Sequence, residues 1–177
     1  MSETARVWGL HVGLIAALVL RFLQVAYWPF TAYDALWVYG YNARVFTLTG
    51  QIPASMDYYP QLIPLTYTFG QLVWGGINDH AARAILPIFA LGSVLAAYLV
   101  GARWADHRTG LLTAALWTFY PAHARWSRSG DLEVPLTFFF TLTLYLLLRG
   151  HRAGSARMLL LGYLALAATV MTKGLHF

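Results

Sequence analysis

The 177-residue sequence contains no cysteine, which removes disulfides and thiolate ligand sets and leaves the redox compartment open. It is poor in charge: 11% of residues are Asp, Glu, Lys or Arg, against roughly a quarter in soluble domains. Neither G-x-x-x-x-G-K-[ST] nor a dinucleotide fingerprint occurs, so nucleotide binding has no support. H-E-x-x-H and G-x-S-x-G are also missing, which takes away the recognisable zinc-protease and serine-hydrolase patterns. The formal net charge is +5, but the basic residues are scattered beside apolar stretches. Nucleic-acid binding would need a basic patch on a soluble fold, so no nucleic-acid partner is expected.

What is abundant is apolar. Hydrophobic residues make up 59% of the chain, with 7 Trp, 11 Tyr and 10 Phe, and the mean hydropathy is +0.55. Rings in such number suit bilayer interfaces. A transmembrane helix needs about 20 mainly apolar residues. Residues 7–28 qualify with Arg21 as the one charge, placed near an end where it can snorkel to headgroups. Residues 84–101 form a second, uncharged span, and 110–124, 134–148 and 158–172 lack Asp, Glu, Lys and Arg. The expected fold is all-α: a polytopic transmembrane helix bundle of about five spans, one module over residues 1–177. The N-terminus reads as an uncleaved first span, because no small-x-small cleavage site follows its apolar core. Arg103, Arg108, Arg149, Arg152 and Arg157 fall in turns on one side, which the positive-inside rule makes cytoplasmic along with the N-terminus. Residues 29–82 then form a long extracytoplasmic loop of a cell-membrane protein. Within it, 33–49 is helix-like with Gly50 as a stop, 51–64 carries three prolines and is irregular, and 65–76 is apolar again.

Three outer segments hold residues fit for chemistry. In YDALWVYGYNARVF, helical spacing puts Asp34, Trp37, Tyr41 and Arg44 along one broad side. Asp34 is either a partly desolvated working acid or, more plainly, a helix cap or a solvated interfacial charge. In ARWSRSGDLEVP, Arg125 and Arg128 suit phosphate, while Asp131 and Glu133 suit a sugar hydroxyl or a divalent cation. Stop-transfer charge and a cap at Asp131 are the plain alternative. Lys173, in ATVMTKGLHF, is a phosphate ligand or an interfacial anchor. Asn78, Asp79, His80 and His123 are weaker candidates for metal.

The order of these motifs (first span, YDALWVYGYNARVF, DYYPQLIPL, two spans, SGDLEVPL, TKGL) resembles the GT-C fold membrane glycosyltransferases. The likeness is to the group of protein O-mannosyltransferases and aminoarabinose transferases, glycosyltransferase family 39-like. The resemblance implies transfer of a sugar from a polyprenyl-phosphate donor to an extracytoplasmic acceptor, with inversion. It maps a catalytic acid onto Asp34, a second onto Asp131, and a Lys-Gly at a helix end onto Lys173 and Gly174. Where many relatives carry an acidic pair, Asp34 is followed by Ala35. Under this reading Asp34 is the general base. Arg44, Arg125, Arg128 and Lys173 meet donor phosphate, and Trp37, Tyr41, Tyr58 and Tyr59 meet sugar or lipid. A divalent metal is an open cofactor expectation, with Asp131 and Glu133 as its ligands. Family chains are several times longer, so this one is expected to be an N-terminal portion that works with further C-terminal helices. A transporter or lipid-handling module, or an inactive fragment, is the competing reading.

Overall fold

A computed structural model describes residues 3–56 and 59–174, with backbone only for residues 3–7. Asp57 and Tyr58 therefore lie outside the described residues. The order is α1 (Glu3–Tyr27), a π-type turn (Ala35–Tyr39) running into α2 (Gly40–Thr49), a 3-10 turn (Ala54–Met56), α3 (Leu62–Trp74) and α4 (Asp79–Arg83). Then come α5 (Leu86–Trp104), α6 (His107–Phe119), α7 (Pro121–Ser129), α8 (Glu133–Ala153) and α9 (Ala156–Thr172). No strand occurs among the described residues. The protein is an all-α membrane bundle.

Three helical stretches are long and apolar enough to cross a bilayer: Trp8–Tyr27, Asp79–Trp104 and Glu133–Ala153. Ala156–Thr172 is apolar but shorter. The stretch expected as one span over 110–124 is instead broken between α6 and α7. Pro121 has no amide hydrogen to continue the ladder, and Tyr120 turns to an extended backbone (ψ 122°). Leucines and other apolar side chains point outward along the helices; Ile15, Leu95 and Leu160 are each more than half exposed. In water such a surface is a liability, whereas against lipid tails it costs nothing.

Because lipid is as apolar as leucine, close backbone approach has to hold the helices together. Small residues permit it. A Cβ on Gly101 would run into Thr113 Oγ1, and one on Gly162 would meet Leu147 at 2.6 Å. These glycines join α5 to α6 and α8 to α9.

Arg21 does not snorkel. It is 5% exposed, and its Nη2 donates to the Thr118 carbonyl at 2.5 Å while Nε donates to Ser127 Oγ at 3.0 Å. The break before α7 leaves the last carbonyls of α6 without helical partners, and a cation from α1 satisfies one of them. His123 is fully buried beside it, with Nε2 3.0 Å from Ser93 Oγ. Trp117 Nε1 donates to the same hydroxyl at 3.0 Å. This polar cluster ties α1, α5, α6 and α7 together.

Candidate functional site

The candidate site is built around the α7–α8 turn. Gly130 follows the last residue of α7 with φ +90°, a conformation that side chains with a Cβ seldom adopt. It sits against the first loop: a Cβ there would meet the Phe30 ring at 2.6 Å and Ala35 Cβ at 3.0 Å. The Tyr67 hydroxyl donates to the Gly130 carbonyl at 2.8 Å. One residue-pair earlier in the turn, the fully buried Arg83 donates through Nη2 to the Arg128 carbonyl and lies over the Phe30 ring, 5.6 Å from its centroid. Three elements distant in sequence thus clamp the turn that presents Asp131.

That clamp brings the two predicted acids together. Ala35, immediately after Asp34, packs against the turn, 3.0 Å from where a Gly130 Cβ would stand, and its amide acts electrostatically on Asp131. The Asp131 carboxylate accepts from Ser129 Oγ at 2.7 Å. Burial pushes the Asp131 carboxyl above its ordinary value, Asp34 nearby adds to the rise, and the Ser129 hydroxyl, Arg125 and the Ala35 amide oppose it. Asp131 does not cap α8; Leu132 holds that position. Tyr39 is buried in the same cluster, and its phenol is pushed up first by burial and then by Asp34, Tyr59, Glu133 and Asp131. Tyr59 packs edge-on to Tyr39, with centroids 5.7 Å apart.

Asp34 itself is exposed, so the desolvation expected for it falls on Asp131 instead. Nor is it a capping acid, since its side chain makes no cap hydrogen bond. Trp37 (65% exposed) and Tyr41 (46%) share its open side, while Ala35, Tyr39, Asn42, Ala43 and Phe46 face the core. The shared side thus holds Asp34, Trp37 and Tyr41, while Arg44, expected with them, is paired with Asp79.

The cations divide. Arg125 acts electrostatically on Asp131, and Lys173, exposed just past α9, acts on Glu133. Arg128 is exposed on α7 and contributes its carbonyl to Arg83. Arg44 is held in a forked pair by Asp79, with Nη2 2.8 and 2.7 Å from the two oxygens. It thereby joins α2 to α4. Asp79 is thus an ion-pair partner, Asn78 caps α4 by accepting from the His80 and Ala81 amides, and His80 Nδ1 lies 3.2 Å from the Val25 carbonyl.

Among the described residues, no group of three or more His, Asp or Glu gathers to hold a metal ion. One Asp131 oxygen already accepts from the Ser129 hydroxyl. Glu133 Oε2 is buried without a hydrogen-bond partner among the described residues. The donors do not form a ready cation cage.

Sequence reasoning missed Phe30, Tyr39, Tyr67, Arg83 and Gly130 as parts of this site. The signal for one was present: SGD between two helices is a turn signature. The others are ordinary apolar-region residues until the chain folds.

The family model for dolichyl-phosphate-mannose-protein mannosyltransferase matches residues 59–177. Undecaprenyl phosphate-alpha-4-amino-4-deoxy-L-arabinose arabinosyl transferases of Pseudomonas aeruginosa and Pseudomonas paraeruginosa are each 36% identical to the chain over 110 residues. The match covers 59% of this chain and 20% of each relative, so the chain spans about a fifth of their length. No solved structure matches it.

Proposed function

The chain belongs to the dolichyl-phosphate-mannose-protein mannosyltransferase family, and on that premise we propose that it carries the catalytic end of a membrane glycosyltransferase. The donor is a polyprenyl-phosphate sugar and the acceptor a hydroxyl or similar nucleophile at the extracytoplasmic face. The observation that carries this reading is the packing of Gly130, next to Asp131, against Ala35, next to Asp34, at one end of an apolar bundle, with Arg125 and Lys173 acting electrostatically on the acids there.

An acceptor hydroxyl is a weak nucleophile until its proton leaves. The exposed Asp34 carboxylate takes that proton as the acceptor oxygen attacks the anomeric carbon. The bond from that carbon to the phosphate oxygen breaks with inversion, and its electron pair leaves on the polyprenyl phosphate. Arg125, Arg128 and Lys173 offset the charge that grows there. Phosphate is a good leaving group, so no general acid is needed. Asp131, fixed by the Ser129 hydroxyl, orients the sugar through its hydroxyls. Trp37, Tyr41 and Tyr59 offer ring faces to the sugar or the first isoprene units, and Tyr58 is assigned with them from sequence. Arg44 serves differently from the sequence expectation, by bracing α2 against α4.

Incubating the purified protein with a radiolabelled polyprenyl-linked sugar and acceptor tests the proposal. Label transferred by the wild type and reduced at least about 100-fold in Asp34→Asn, with unchanged membrane insertion, is the expected result. Near-normal transfer by Asp34→Asn removes that residue as base. Lipid bound but never turned over replaces the enzyme with a binding module.

A further inference from the structure

The opposite end of the bundle carries its own feature. The last turns of α5 and α8 lie side by side there, and a cavity of about 500 Å³ opens between them. Arg103, Arg149 and Arg152 line it, together with Tyr98, Tyr145, Leu99 and Ala102. Arg149 is held in place: Nη1 donates to the Tyr145 hydroxyl at 2.5 Å, and the guanidinium stands 5.7 Å from the centre of that ring. Among the described residues none of these three arginines forms an ion pair. Asp106, the nearest acid along the chain to Arg103, spends one oxygen on the Thr109 amide and hydroxyl at 2.8 and 2.9 Å, capping α6.

Arginine in a last turn offsets the helix dipole, and topology alone favours it on one side of a membrane. Those effects account for each arginine singly. They do not call for a hollow lined by three guanidinium groups together with Leu99 and Ala102. Trp104, beside Arg103 and 89% exposed, marks the depth, because exposed Trp at a span end sits at headgroup level. A cavity lined by three arginines together with tyrosines and aliphatic residues, and set at that depth, matches an amphiphile with a phosphate head.

We infer that the cavity between α5 and α8 binds an anionic phospholipid, its phosphate against Arg103, Arg149 and Arg152 and its first acyl carbons along Leu99 and Ala102. Guanidinium groups fork onto phosphate oxygens, and basic pockets between spans are a recognised form of headgroup site. This lipid is distinct from the sugar donor. Glu133 and Arg149 are on one helix, about 24 Å apart along its axis, so the two sites lie at opposite ends of the bundle.

Native mass spectrometry of the purified protein in neutral detergent tests this. Phosphatidylglycerol and phosphatidylcholine with identical acyl chains are titrated in, with inorganic phosphate as competitor. Phosphatidylglycerol is expected to bind preferentially. Arg103→Gln or Arg149→Gln should each weaken it about fivefold and the pair together about 30-fold, from the usual value of one basic side chain near an anionic headgroup. Arg157→Gln, at the same end but outside the cavity, should leave it unchanged. Tyr145→Phe keeps every charge and frees Arg149, so it should weaken binding by a smaller factor even if the arginine variants fail to fold. Equal retention of the two lipids by the wild type overturns the inference. Loss in Arg157→Gln equal to that in Arg149→Gln reduces it to diffuse charge attraction and overturns it too. Displacement of the lipid by millimolar phosphate assigns the cavity to a free anion instead. Sugar transfer is not read in any arm, so failure here leaves the catalytic proposal standing.

Discussion

Replacing Gly130 with alanine strikes the turn that delivers Asp131, and its cost can be built from the structure. The backbone at Gly130 has φ +90°, where a Cβ costs about 1–2 kcal/mol. The added methyl would also come within 2.6 Å of one Phe30 ring carbon, 2.8 Å of another and 3.0 Å of Ala35 Cβ. Phe30 is only 3% exposed and is itself covered by Arg83, so the ring has little room to yield. Overpacking of this kind costs about 1–3 kcal/mol, for a total of about 2–5 kcal/mol. Gly50→Ala supplies the control. Gly50 also has positive φ (+66°), but nothing lies within 4 Å of its added Cβ, so only the backbone part, about 1–2 kcal/mol, applies. Thermal unfolding in detergent should place Gly130→Ala clearly below Gly50→Ala. Transfer should fall as well, because a shift near 1 Å at a catalytic turn costs on the order of 100-fold. Equal stability of the two variants, with transfer intact in Gly130→Ala, would refute the packing of this turn against the first loop.

Two further outcomes bear on the site. Lys173→Ala should raise KM for the polyprenyl donor about tenfold, the worth of one charged hydrogen bond, with acceptor KM little changed; equal changes in both would remove the phosphate contact. Asp131 supplies a pH signature. Its folded pKa lies above the ordinary 3.8, so the folded form holds the proton more tightly than the unfolded chain. The resulting stabilisation is complete below pH 3.8 and is lost as pH rises through the folded value. Unfolding measured across that window should show Asp131→Asn flatter than the wild type, and parallel curves would refute the burial of this carboxyl.

Local pattern carried far in this chain. Low charge and apolar runs gave the all-α membrane bundle, since a bilayer admits few other solutions. The helix ending at Gly50 and the open face of Asp34, Trp37 and Tyr41 follow from spacing that a helix repeats regardless of its neighbours. Pro121 was also in plain view, yet the stretch around it read as one span; a proline weakens a span without saying whether neighbours repair it. Arg21 was misread because the escape of a long side chain to the interface competes with burial. The winner depends on whether another helix offers acceptors, as Thr118 and Ser127 do.

Sequence alone therefore determined which residues are chemically able to meet phosphate, sugar or water, and that the chain is an apolar helical bundle, because those are properties of side chains and of short periods along the chain. Tertiary structure decided which of them meet. Arg44 and Asp79 neutralise each other across two helices, whereas Asp131 is carried to Asp34 by a glycine turn locked between Phe30, Tyr67 and Arg83. Such pairings arise from packing between distant segments, where the energy belongs to the contact and to neither stretch of sequence by itself.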